Sequence, residues 1–91
     1  MILGFIGTGK ITTSVIKGIC KSKIKYKKII ISPRNKKNAN YIKKNFRNIK
    51  IAKNNQEIVD SSNWVFLAVT PSVGKKIIKN LKFKSNQMII S

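Results

Sequence analysis

The first twelve residues constrain the fold most: Met1-Ile2-Leu3-Gly4-Phe5-Ile6 is a short apolar run, Gly7-Thr8-Gly9 breaks it, and Lys10-Ile11-Thr12 opens a helical pattern reaching Cys20. A buried strand, a tight turn and a helix N-terminus follow one another with no room for anything else. Gly7 lets the backbone reverse with no Cβ in the way, and Gly9 lets the main chain come close to a ligand. The N–H groups that open the helix lack intrahelical acceptors and carry a partial positive charge, so the arrangement suits a dinucleotide pyrophosphate. Thr12 fills the third position of the GxGxxG/A pattern, where a smaller residue is usual.

A second phosphate motif overlaps the first, because Gly4 to Gly9-Lys10 fits the start of GxxxxGK. A P-loop needs Ser or Thr directly after the Lys to hold Mg²⁺, and Ile11 stands there instead. The triphosphatase reading is set aside on that residue.

The rest of the chain alternates. Lys27 to Arg34 holds a β-branched strand, Ile29-Ile30-Ile31, ended by Pro33. Asn38 to Phe46 reads as a helix, with Tyr41, Ile42 and Phe46 on its apolar side, and Ile49 to Ala52 as a short strand. Asn54-Asn55-Gln56-Glu57 has the form of a helix N-cap with Glu three residues on. Trp64 to Val69 is apolar on both faces, as a central parallel strand must be. Thr70 is placed to cap the next helix and Pro71 to begin it, with Val73, Ile77, Ile78 and Leu81 as an apolar stripe. Met88-Ile89-Ile90 is a last strand. Strands and helices alternating on such short connections predict an α/β fold: a Rossmann-like, doubly wound parallel sheet of about five strands with helices on both faces. The pattern stops directly after a strand, which is read as a domain cut short at its C-terminus.

Composition bounds the function. At 91 residues the chain has the size of one small domain, and no apolar run approaches a membrane span. The single Cys20 cannot form an internal disulfide and is read as a small core residue of the first helix, which suits a reducing cytoplasm. Without a signal peptide, a cytoplasmic location is expected. With no His and one Cys, a transition-metal site and a His-based triad are excluded. The net charge of +18 invites a nucleic-acid reading. However, the lysines are scattered rather than striped, and Lys, Ile and Asn, all encoded by AT-rich codons, make up about half the chain. Compositional drift explains all three; nucleic-acid binding explains only the lysines. A basic nucleic-acid-binding domain and a non-functional remnant are the competing readings.

Cofactor choice turns on the end of the second strand, where an NAD site places an acid for the ribose 2′-OH. Ser32-Pro33-Arg34 has none there. Arg34 can pair with a 2′-phosphate or stack on adenine and Ser32 can donate to the phosphate, so NADP is expected.

In this order the residues resemble the N-terminal domain of the pyrroline-5-carboxylate reductase family: Gly4-Phe5-Ile6-Gly7-Thr8-Gly9, then Ser32-Pro33-Arg34-Asn35, then Asn55-Gln56-Glu57, then Phe66-Leu67-Ala68-Val69-Thr70-Pro71. The resemblance implies an NADPH-dependent reduction of a cyclic imine. It implies that Ile6, Gly7, Thr8, Gly9, Lys10 and Ile11, followed by Thr12, surround the pyrophosphate. Ser32 and Arg34 would meet the 2′-phosphate, Asn55 the adenosine, and Ala68, Val69, Thr70 and Pro71 the nicotinamide ribose. Thr70 departs from the Lys or Arg usual in the family. The family's substrate site and dimer interface lie in a helical C-terminal domain that these 91 residues do not include, so substrate and a second subunit are expected only with such a domain. No catalytic residue is assigned; Glu57 and Asp60, the only acids, fall in the third helix.

Overall fold

The computed structural model describes residues 1–7 and 9–90. It contains β1 (Ile2–Ile6), α1 (Lys10–Lys21), β2 (Lys28–Ile31), α2 (Lys36–Asn45), β3 (Ile49–Ile51), α3 (Asn55–Ser61), β4 (Trp64–Leu67), α4 (Pro71–Lys79) and β5 (Met88–Ile90). The strands form one sheet in the order β3-β2-β1-β4-β5, every pairing parallel. The first strand is therefore central, with Phe5 opposite Ile31 on one side and Phe66 on the other.

Side-chain alternation along the strands builds two cores. Leu3, Phe5, Ile29 and Ile31 face Ile16 and Ile19 of α1 and Ala39 and Ile42 of α2. Ile6, Ile30 and Val65 face Ile58 and Val59 of α3, joined at the margin by Ile77, Leu81 and Phe83. Both faces of the sheet are covered, which is why β1 and β2 read as nearly continuous apolar runs. The Phe5 and Phe66 rings stack at 4.6 Å with an interplanar angle of 9°.

Gly4 belongs to this packing rather than to any phosphate loop. A Cβ there would lie 2.2 Å from Ser62 Oγ and 2.6 Å from Ile58 Cγ2, so α3 can approach β1 only over a glycine.

Several local expectations are corrected. Cys20 is exposed, because Ile16 and Ile19 form the sheet-facing side of α1 and the next residue is turned away from it. Its Sγ instead lies 3.2 Å from the Tyr26 hydroxyl. α2 begins two residues before Asn38, because the Asn35 side chain accepts from the Asn38 amide at 3.2 Å and starts the helix over a polar first turn. Ala39 and Ile42 carry its buried side, whereas Tyr41 is exposed. Thr70 holds the N-cap position of α4, but its side chain makes no capping hydrogen bond. Ile78 is exposed, and α4 meets the sheet through half-buried Val73 and Ile77 beside buried Gly74. The Asn54 cap is as expected, accepting from the Glu57 amide at 2.9 Å. Among the described residues no helix is long and apolar enough to cross a membrane, and no cluster of three metal-ligating residues occurs.

Candidate dinucleotide site

The sheet order reverses at β1, with β2 on one side and β4 on the other, and open α/β sheets leave a crevice there at the carboxyl ends of the strands. In this chain the crevice is a cleft of about 650 Å³ lined by Gly7, Gly9, Arg34, Asn35, Lys36, Ala68 and Val69. Three loops that are distant in sequence meet in it: β1 to α1, β2 to α2, and β4 to α4.

Gly7 has φ +109°, a conformation that residues with a Cβ rarely adopt, and an added Cβ would lie 2.5 Å from the Ala68 carbonyl oxygen. The same two loops are joined by the Ala68 amide, which donates to the Ile6 carbonyl at 2.9 Å. Gly9 is different. It is the N-cap of α1 with ordinary φ −79°, and a Cβ there would meet nothing within 4 Å. Protein packing does not require a glycine at this position; the open space in front of it is free for a ligand.

The first intrahelical bond of α1 runs from the Thr13 amide to the Gly9 carbonyl at 3.1 Å, so the Lys10, Ile11 and Thr12 amides have no intrahelical acceptor. Gly9 brings no side chain to cap them, and no acid sits in the first turn. By contrast, α2 and α3 are capped by Asn35 and Asn54. The α1 N-terminus beside the cleft, with no side-chain cap and no acid in its first turn, can therefore accept an anion.

Ser32 is buried, and its Oγ accepts from the Arg34 amide at 3.4 Å. This small turn carries the chain out of β2 and places Arg34, Asn35 and Lys36 on the cleft wall. Arg34 also lines an adjoining groove of about 480 Å³ with Asn54, Asn55, Gln56, Val73 and Lys76. It is the side chain shared by the two spaces. No acid lines either of them; both acids lie on α3, where Glu57 faces Lys50 at 3.5 Å.

The structure thus gathers Gly7, Gly9, Arg34, Ala68 and Val69 in one cleft and Asn55 in the next. Ile6 is buried in the core, and Thr12 is fully buried behind the turn. Lys10 lines a separate groove with Thr13, Ser14, Asn38 and Tyr41. Ile11 is 68% exposed on α1, and Thr70 and Pro71 are exposed at the start of α4 without lining the cleft. Thr8 lies outside the described residues. Asn35 and Lys36 were missed from sequence; the available signal was an Asn in N-cap position directly after Arg34, followed by a cation in the first helical turn.

A glycine turn leading into a helix without a capping side chain, at the switch point of a parallel 3-2-1-4-5 sheet, is the arrangement of a Rossmann-type dinucleotide-binding domain. Residues 2–91 match the family model described as NADP oxidoreductase, coenzyme F420-dependent, and the chain belongs to that family. Among solved structures it is similar to 1-pyrroline-5-carboxylate reductase from the human pathogen Streptococcus pyogenes, with a TM-score of 0.77 and 29% identity over 98% of this chain. The chain spans 32% of that reductase. No curated protein matches it.

Proposed function

We propose that these residues form the NADPH-binding domain of a reductase of the pyrroline-5-carboxylate reductase type, which in a complete enzyme converts 1-pyrroline-5-carboxylate to proline. The observation that carries the cofactor choice is the pair of cations, Arg34 and Lys36, on the wall of a cleft that has no acid at the end of β2. An acid there would accept from an unmodified ribose and repel a phosphate, whereas a guanidinium offers paired donors to one.

The residues present fit the group. Gly9 leaves open space where the diphosphate would approach the α1 N-terminus, Arg34 and Lys36 suit the 2′-phosphate, and Asn55 with Arg34 borders a groove suited to the adenosine. Ala68 and Val69 form the opposite wall, toward the nicotinamide ribose. When bound, the cofactor would supply a hydride from its nicotinamide C4 to the imine carbon. This domain's own work is to bind and orient, since neither acid lines the cleft. Residues beyond these 91 are proposed to supply the substrate pocket and the second-subunit contacts. Exposed, unpaired Cys20 is compatible with a reducing cytoplasm.

The test is titration of the chain with NADPH and NADH under identical salt. Binding of NADPH well above NADH supports the reading. Equal affinities would remove the 2′-phosphate assignment, and no binding of either would remove the cofactor site.

A further inference from the structure

Thr12 stands where the glycine fingerprint usually has a small residue, yet it is fully buried and its Oγ1 donates to the Gly7 carbonyl at 2.8 Å. We infer that Thr12 is a positioning residue: its hydroxyl clamps the glycine turn in its anion-accepting form by holding the Gly7 carbonyl back from the cleft. This rests on the dinucleotide site proposed above.

Gly7 lines the cleft and its φ of +109° lies in a region open chiefly to glycine, so nothing intrinsic to the residue fixes its orientation. The peptide that follows Gly7 could rotate and present its carbonyl to the cleft, where its dipole would oppose an anion. Two contacts prevent this. The Ala68 carbonyl crowds Gly7 from one side, and the Thr12 hydroxyl binds the Gly7 oxygen from the first turn of α1. The preceding carbonyl, of Ile6, is likewise taken by the Ala68 amide. With both carbonyls engaged inside the protein, neither is free to oppose an anion in front of the α1 amides. Because a hydroxyl has one proton and Thr12 gives it to Gly7, Thr12 acts on the ligand through the turn and not as a phosphate donor. A glycine or alanine at position 12 would lack this clamp, so the larger residue adds preorganisation at that point.

The experiment compares the parent chain with Thr12→Val, which keeps the shape but removes the donor, and Thr12→Ser, which keeps the donor. NADPH binding is measured by calorimetry at a temperature where circular dichroism shows each chain folded. Thr12→Val is expected to bind about tenfold more weakly and Thr12→Ser to stay close to the parent. The idea is overturned if Thr12→Val binds as tightly as the parent, or if Thr12→Ser falls with it, which would show that the donated hydrogen bond alone does not set the affinity. If instead the parent binds no NADPH, the cofactor reading fails, and this role fails with it for that separate reason. Where Thr12→Val does not fold, Thr12→Ala takes its place, with the same expected loss and the same overturning result.

Discussion

Gly4 and Ser62 are in such close apposition that a single methyl group at residue 4 would overlap the serine side chain, with Oγ at 2.2 Å and Cβ at 2.9 Å from the added carbon. Gly4→Ala must therefore push α3 off β1, at a cost of about 1–3 kcal/mol in urea denaturation. The substitution lies on the α3 side of the sheet, so the NADPH to NADH affinity ratio of the folded fraction should not change. A stability loss below about 0.5 kcal/mol would mean that α3 is not seated as described.

Gly7 and Gly9 should separate stability from binding. Gly7→Ala places a Cβ against the Ala68 carbonyl at positive φ and is expected to cost about 1–3 kcal/mol of stability. Gly9→Ala loses some N-cap preference and gains from a less flexible unfolded chain, so its stability should stay within about 1 kcal/mol of the parent. Its NADPH affinity should nevertheless fall about tenfold or more, and Gly9→Val should fall further. Unchanged binding by Gly9→Val would show that no ligand approaches the backbone there.

Arg34 and Lys36 make different predictions although both line the cleft. A charge-assisted hydrogen bond contributes about 1.5–3 kcal/mol, so Arg34→Asp should weaken NADPH binding by roughly ten- to a hundredfold and leave NADH far less affected. Lys36 is exposed at the first position of α2 and acts as a point charge, so Lys36→Gln should cost about two- to fivefold and matter less as salt is raised. Equal losses for both dinucleotides with either variant would separate these cations from the 2′-phosphate.

Tyr26 sets an alkaline limit. Burial foremost, then the hydrogen bond and charge interaction with Cys20, push its phenol up to about 12, against a smaller lowering by Arg47. The folded state holds this proton more tightly than the unfolded chain, whose tyrosine titrates near 10. The contribution is complete below pH 10 and is lost as pH rises through about 12. The stability advantage of the parent over Tyr26→Phe should shrink across that interval, and ultraviolet absorbance should detect one late tyrosinate missing from the variant. A parent whose Tyr26 ionises near pH 10 would contradict the assignment.

The alternation of strands and helices was legible because the apolar runs are short and separated by polar or Gly- and Pro-bearing turns, and parallel pairing follows from crossovers between such runs; the strand order itself was not legible. What was not legible depends on rotation about a helix axis or on a partner remote in sequence. Cys20 and Ile78 are one residue beyond the sheet-facing side of their helices, and hydropathy alone does not resolve that angle. Thr12 looked too large because its size was visible and its acceptor, the Gly7 carbonyl, was not. Gly4 sat within a phosphate-loop spacing, but what requires it is α3, more than fifty residues later in the chain. Arg34 could be singled out because the absence of an acid is itself a sequence observation; Lys36 could not be distinguished among eighteen lysines until the β2 to α2 turn was built.

The position of β1 between β2 and β4 bears on how the molecule comes into being at the ribosome. The strand made first is paired on one side by residues 28–31, but on the other it waits for residues 64–67, and the Ile6 carbonyl waits for the Ala68 amide. Until then its second edge is open and Phe5 lacks the ring of Phe66 that stacks on it. Nascent chains stalled before β4 should therefore hold a sticky, half-built sheet, and the wall formed by Ala68 and Val69 gives the domain its ligand cleft and closes its central strand at one moment of synthesis.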